Sequence, residues 1–327
     1  MKLTAPRDPP SSARTGKAIS TSGATATPQG EGSRSSTTAR TLAKAGRSHR
    51  PGRRALKTFF RNRLAIIGVI VLLAIVAAVI VAPTFVPSSL AIKPNPRQML
   101  LPASAQHLLG TDEIGRDVAA RLLYAGRVSI PVSLSAMLIA LVTASIVGIV
   151  SGYFGGWLDQ LLMRVTDALL AIPAIFLLLT IAAVMRPNVT VLVVVIGLLA
   201  WMDLARIVRV ETISLSKREQ IEGVRALGAK NLRILFRHIL PNVQGPLLVA
   251  APLIAGRALL TESALSYLGL GVQPPIPTWG NMLNQAQQFA LSAPLLAVAP
   301  GLAIMITVIA INFVGDGLRD AFDPRRS

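Results

Sequence analysis

An all-α, polytopic membrane protein is the fold class this sequence predicts, and three observations carry that reading. Charge-poor runs at 64–86, 128–154, 168–185, 187–205, 243–267 and 290–315 approach or exceed the ~20 residues, at ~1.5 Å rise each, that cross a hydrocarbon core. A mean hydropathy of +0.57 coexists with a formal charge of +18, so apolar and basic residues must be segregated along the chain. Between the fourth and fifth runs lies a charged island at 219–241 whose apolar residues recur at helical spacing.

Residues 1–50 are rich in Ser, Thr, Ala, Gly and Arg without apolar periodicity, and are expected to form a disordered, basic cytoplasmic tail. They contain no apolar run of the kind a cleaved signal peptide needs. The basic juxtamembrane segment 51–63 follows, and residues 1–63 together carry fourteen Lys or Arg against two acids. The pI of about 11.6 therefore comes largely from the segment before the first span, where anionic membrane lipid is the expected partner. That segment lacks interleaved aromatic residues and a folded basic motif, so nucleic acid is not a partner this charge implies.

The basic block places the amino terminus in the cytoplasm by the positive-inside rule, and six crossings return the carboxyl terminus to the same side. The membrane domain then runs over 64–327, with an outer loop at 88–127 and a cytoplasmic loop at 206–242 that holds eight basic residues against three acids. The uncharged connection 268–289 falls outside.

Within the cytoplasmic loop, Ile221, Val224 and Leu227 have helical spacing, Gly228 supplies a residue free to take positive φ, and a second helical pattern opens at Lys230. Leu232, Leu235, Phe236 and Ile239 fall at i, i+3, i+4 and i+7 and predict the apolar face of that second helix, which Pro241 is expected to stop. In the outer loop, Thr111 or Asp112 is expected to cap an amphipathic surface helix carrying Val118, Leu122 and Leu123.

Chemistry is sparse. With no cysteine, disulfides and thiolate metal sites are excluded, and His49, His107 and His238 lack partners at ligand spacing. The sequence contains no phosphate-binding GxxxxGK[ST] loop; Gly16-Lys17 is followed by Ala. Arg257 and Glu262 lie inside the fifth span, where an ionisable group must face protein or water, so both are candidate walls of a pathway. Asp167 and Asp203 fall near the inner ends of their spans, where headgroups or nearby arginines would meet them.

Two motifs resemble a known family. The stretch with Glu222, Arg225, Gly228, Leu240 and Pro241 is similar to the coupling loop of ABC importer permeases, with Gly223 and Val224 where that family has two alanines. Leu109, Gly110, Thr111, Asp112, Gly115, Arg116 and Asp117 match the LGTDxxGRD signature of the C-type permease subunit of dipeptide, oligopeptide and nickel importers. Glu262 begins ESALSYLGLG, similar to a further family segment, and the resemblance extends over 54–326. It implies a type I importer permease (MetI-like) fold of six transmembrane helices with a cytoplasmic coupling helix, in the plasma membrane. It further implies a second, B-type permease subunit, two cytoplasmic ATPase subunits that use ATP and Mg, and an extracytoplasmic substrate-binding protein. This chain would then bind no cofactor and be no enzyme, and its substrate class would be di- or oligopeptides, with nickel chelates or another small solute as the alternative. A stand-alone secondary transporter competes less well, since no internal repeat is visible.

Overall fold

The computed structural model describes residues 58–185 and 188–322. The tail expected at 1–50, most of the basic segment at 51–63, and Arg325 and Arg326 lie outside the described residues. In chain order the helices are α1 (Arg63–Phe85), α2 (Ser88–Ile92), α3 (Val118–Phe154), α4 (Gly156–Leu170), α5 (Ala174–Val184), α6 (Val189–Ala200) and α7 (Met202–Ser216). They continue with α8 (Glu219–Ala226), α9 (Asn231–Ile234), α10 (Leu240–Tyr267), α11 (Trp279–Ala286) and α12 (Leu295–Phe322).

Among the described residues, four helical stretches are long and apolar enough to cross a membrane: α1, α3, the continuous Asn231–Tyr267 stretch that ends in α10, and α12. The count becomes six when each bent pair is taken as one span, α4 with α5 at 81° and α6 with α7 at 44°. The third and fourth spans thus have other bounds than the charge-poor runs expected at 168–185 and 187–205, and each is bent. Pro173 accounts for the first break, because it has no amide proton to donate and pushes Ile172 away from helical angles. Beyond the second break, α7 carries helix into the first part of 206–242.

Two further expectations are corrected. The outer amphipathic helix is not a separate element: its residues form the first turns of α3, and the cap is Asp117, whose carboxylate accepts from the Ala120 amide at 2.7 Å. Thr111 and Asp112 cannot serve as caps because their side-chain oxygens are already engaged within the preceding loop. Nor does Pro241 stop the helix after Lys230. A π turn over Leu235–Ile239, in which the Leu240 amide donates to the Leu235 carbonyl, lets the chain pass Pro241 and continue as α10. The Asn242 side chain meets the His238 carbonyl at 2.5 Å.

Without a hydrophobic drive between helices in lipid, close approach depends on small side chains. On α3 these recur every fourth residue, at Ala136, Ala140, Ala144, Gly148 and Gly152, all buried. A Cβ at Gly148 would lie 2.7 Å from the Ala205 carbonyl oxygen, and one at Gly152 would lie 2.6 Å from that of Arg209, so α3 and α7 touch backbone to backbone. At the other side Gly68 of α1 meets the Ala310 carbonyl and Gly317 of α12 meets Ala65. Gly148→Val is therefore expected to push α7 off α3, with loss of about 1–3 kcal/mol from overpacking. The check is the amount of detergent-stable protein recovered, which should fall well below that of Leu138→Val on the exposed face of α3.

Two buried clusters sit at opposite ends of α3. One joins Ala144 and Ile149 of α3 to Val208 and Leu215 of α7, Ile221, Ile234 and Ile239 of the charged island, and Val243. The other joins Val118 and Ala125 to Leu259, Trp279, Met282 and Leu296.

Candidate functional site

The charged island folds as a hairpin. α8 closes with a Schellman turn: the Gly228 amide donates to the Arg225 carbonyl at 3.0 Å and the Ala229 amide reaches back to Val224 at 3.3 Å. This geometry requires φ +82° at Gly228, a conformation open to glycine and strained for other residues. Three isoleucines, Ile221, Ile234 and Ile239, plug the two arms into the cluster formed with α3, α7 and α10.

The face opposite those plugs is exposed. Leu227, Leu232 and Phe236 are 89%, 67% and 68% exposed, and Glu222, Arg225, Arg233 and Arg237 are exposed with them. The single apolar face expected on the second arm is thus divided: Leu235 and Ile239 are buried, while Leu232 and Phe236 face out and Ile234 takes the inward place. The π turn shifts the register between them. Leu240 is half-buried and Pro241 exposed at the start of α10. Two residues that sequence reasoning did not single out fasten the hairpin to α3. The Tyr153 hydroxyl donates to Asn231 at 2.9 Å, and the Arg225 guanidinium stands 5.5 Å from the Tyr153 ring centroid.

At the end of α3 away from the hairpin, the signature residues make a buried latch. Asp112 accepts from the amides of Ile114 and Arg116 at 3.1 and 2.9 Å, from Arg116 Nε at 2.6 Å, and from Arg121. Arg116 also reaches Glu113 at 3.0 Å, and Gln285 of α11 accepts from both Arg116 (3.3 Å) and Arg121 (2.7 Å). Thr111 receives the Leu101 amide at 2.8 Å and donates to the Gln98 carbonyl, while Asp117 pairs with His107 at 2.8 Å. Gly110 and Gly115 have φ +77° and +81°, and a Cβ on either would strike the backbone of Leu101 or Asn95. Asp112, Arg116 and Arg121 are all buried, so this motif folds the loop that precedes α3 onto α3 and α11.

The two ionisable residues of the fifth span part company. Glu262 is fully enclosed: Ser266 donates to it at 2.8 Å and Ser129 at 3.1 Å, and the Ser129 hydroxyl accepts the Trp279 amide at 3.2 Å, joining α10, α3 and α11. It is a packing group rather than a wall. Arg257 is exposed and lines a cavity of about 520 Å³ together with Asp203. Asp167 instead pairs with Arg206 at 2.5 Å, and Asp159 with Arg209 at 2.6 Å, tying α4 to α7.

Residues 144–327 match the family described as the binding-protein-dependent transport system inner membrane component, and residues 50–103 match the N-terminal transmembrane domain of oligopeptide transport permease C. The dipeptide transport system permease protein DppC of Alkalihalophilus pseudofirmus is 42% identical over 275 residues, covering 84% of this chain and 90% of that protein. The glutathione transport system permease protein GsiD of Pectobacterium atrosepticum is 40% identical over 222 residues, covering 68% and 74%. Among known structures, the inward-facing MetNI methionine ABC transporter shares the fold, with a TM-score of 0.50 at 19% identity over 62% of this chain and 96% of that one. The chain therefore belongs to the inner-membrane components of binding-protein-dependent transport systems, the permease subunits of ABC importers.

Proposed function

We propose that this chain forms half of the translocation pathway of an ATP-driven importer of di- or oligopeptides in the plasma membrane, with both termini in the cytoplasm. The second half comes from a B-type permease subunit, the energy from two cytoplasmic ATPase subunits that bind Mg and ATP, and the cargo from an extracytoplasmic binding protein. The named cargo of the relatives, dipeptides and glutathione, supports the substrate class.

The observation that carries the energy-coupling part is the hairpin. Leu227, Leu232 and Phe236 stand exposed among Glu222, Arg225, Arg233 and Arg237, which is a face suited to a groove on a soluble partner. Its other face is plugged into the helices that cross the membrane. A partner that moves the tip must therefore move α7 and α10, because Ile221, Ile234 and Ile239 cannot leave their cluster without exposing apolar surface.

The chain has no cysteine, so single cysteines can be placed without background. Leu227→Cys and Phe236→Cys are expected to crosslink to an ATPase subunit in intact membranes, in a yield that changes with nucleotide. Ile70→Cys, on the exposed face of α1, serves as the control. Failure of both hairpin positions to reach any ATPase subunit would remove the coupling assignment.

A further inference from the structure

The cavity holding Arg257 lies where both bent spans turn. Its wall takes Ile172, Pro173 and Ala174 from the break between α4 and α5, Ala200 and Met202 from that between α6 and α7, and one face of α10. Helices interrupted at membrane depth leave backbone groups without intrahelical partners, which is tolerated where they border a water-filled space. At about 520 Å³ the cavity falls within the ~300–1,000 Å³ typical of small-molecule sites. Apart from Asp203 on α7 and Arg257 on α10, its lining carries no ionisable side chain.

Neither of those two groups has an ion-pair partner among the described residues, although the neighbouring acids of α4, Asp159 and Asp167, are both paired with arginines of α7. An unneutralised acid and an unneutralised base inside membrane spans are costly, and such groups mark substrate paths. The hydroxyl of Thr261, one turn beyond Arg257, is spent on the Arg257 carbonyl at 2.8 Å. The charge in the cavity therefore comes from Asp203 and Arg257.

We propose that this cavity is a passing site for zwitterionic peptides, in which Arg257 receives the terminal carboxylate and Asp203 the terminal ammonium. This deepens the peptide-import reading above and rests on it. A guanidinium suits the carboxylate because its planar donors engage both oxygens, which a lysine ammonium cannot reproduce. The other side chains of the wall are apolar apart from Thr261, so the two charges are the strongest contacts it offers to a peptide.

The test uses the whole complex, with its partner permease, ATPase subunits and binding protein, in proteoliposomes supplied with dialanine, trialanine and tetra-alanine. Peptide imported per ATP hydrolysed is measured for the unaltered complex and for Arg257→Met, Arg257→Lys and Asp203→Asn. Arg257→Met and Asp203→Asn are expected to lower that ratio about tenfold, the scale of one lost charge-assisted contact, with receptor-stimulated hydrolysis retained. Arg257→Lys is expected to lie between Arg257→Met and the unaltered complex. Unchanged ratios in both neutral variants, while the unaltered complex imports peptide, overturn the cavity assignment and leave peptide import standing. Loss of stimulated hydrolysis in step with uptake makes the pair a subunit contact and likewise overturns it. No import of any of the three peptides by the unaltered complex overturns both readings together.

Discussion

Gly228→Val is expected to abolish coupled import while leaving the chain inserted in the membrane. The elbow has nothing within 4 Å of the position a Cβ would take, so the substitution meets no steric obstacle from its surroundings. Its whole effect comes from the backbone: φ at this residue is +82°, which a β-branched side chain resists at a cost of about 1–3 kcal/mol. Because Ile221, Ile234 and Ile239 hold both arms of the hairpin in the core, the strain is relieved at the exposed tip. Leu227 and Leu232 then leave the positions from which, on the proposed coupling, they would meet an ATPase subunit. A docking loss of about 3 kcal/mol is more than a hundredfold in affinity. Asparagine tolerates this backbone region better than most residues, so Gly228→Asn should retain most of the uptake that valine loses. The measurements are peptide uptake and receptor-stimulated ATP hydrolysis in the assembled complex. Normal values of both in the valine variant would show that the elbow transmits nothing.

The hairpin was legible because its signals are local. A glycine between two helical patterns announces a positive-φ turn, and Gly228 sits in one. What the periodicity misjudged is the second arm, where a wheel of 3.6 residues per turn places Leu232 and Phe236 beside Ile239. Pro241 removes an amide from the ladder, the π turn at Leu235–Ile239 absorbs the defect, and Ile234 takes the inward position. A hydropathy window is equally blind to the breaks, since the run around Pro173 is apolar throughout while its helix turns by 81°. The same blindness hid the stripe from Ala136 to Gly152, which is written in residue size rather than in hydrophobicity. The outer signature was visible as a motif, but not as a latch. Its partner Gln285 lies 164 residues from Arg121, and no spacing rule connects a loop to a helix so far along the chain. The place of Asp203 is hidden for a similar reason: nothing local says that α7 and α10 line a cavity beside the two breaks, α4–α5 and α6–α7.

That latch carries the second large effect. Asp112→Ala is expected to cost about 3–5 kcal/mol, because it leaves two buried guanidinium groups, Arg116 and Arg121, without the carboxylate they share. Glu113 lies near enough to pair with Arg116 at 3.0 Å, but Gln285 offers Arg121 only a neutral oxygen. The Arg121 Nε already lacks a partner, so the site has no reserve acceptor to take up the loss. The amides of Ile114 and Arg116 lose their acceptor as well, which frees the loop held between Asn95 and the start of α3. Asp112→Asn keeps an acceptor oxygen for those amides and is expected to lose less. The informative comparison is the triple variant Asp112→Ala, Arg116→Met, Arg121→Met, in which no buried charge is stranded; it should recover a large part of the stability lost by Asp112→Ala alone. The readouts are the steady-state amount of the chain in membranes and the thermal midpoint of the detergent-purified complex. If removing the two arginines deepens the defect instead of relieving it, the cost lies in lost packing around α11 rather than in unpaired charge, and the latch acts by its shape.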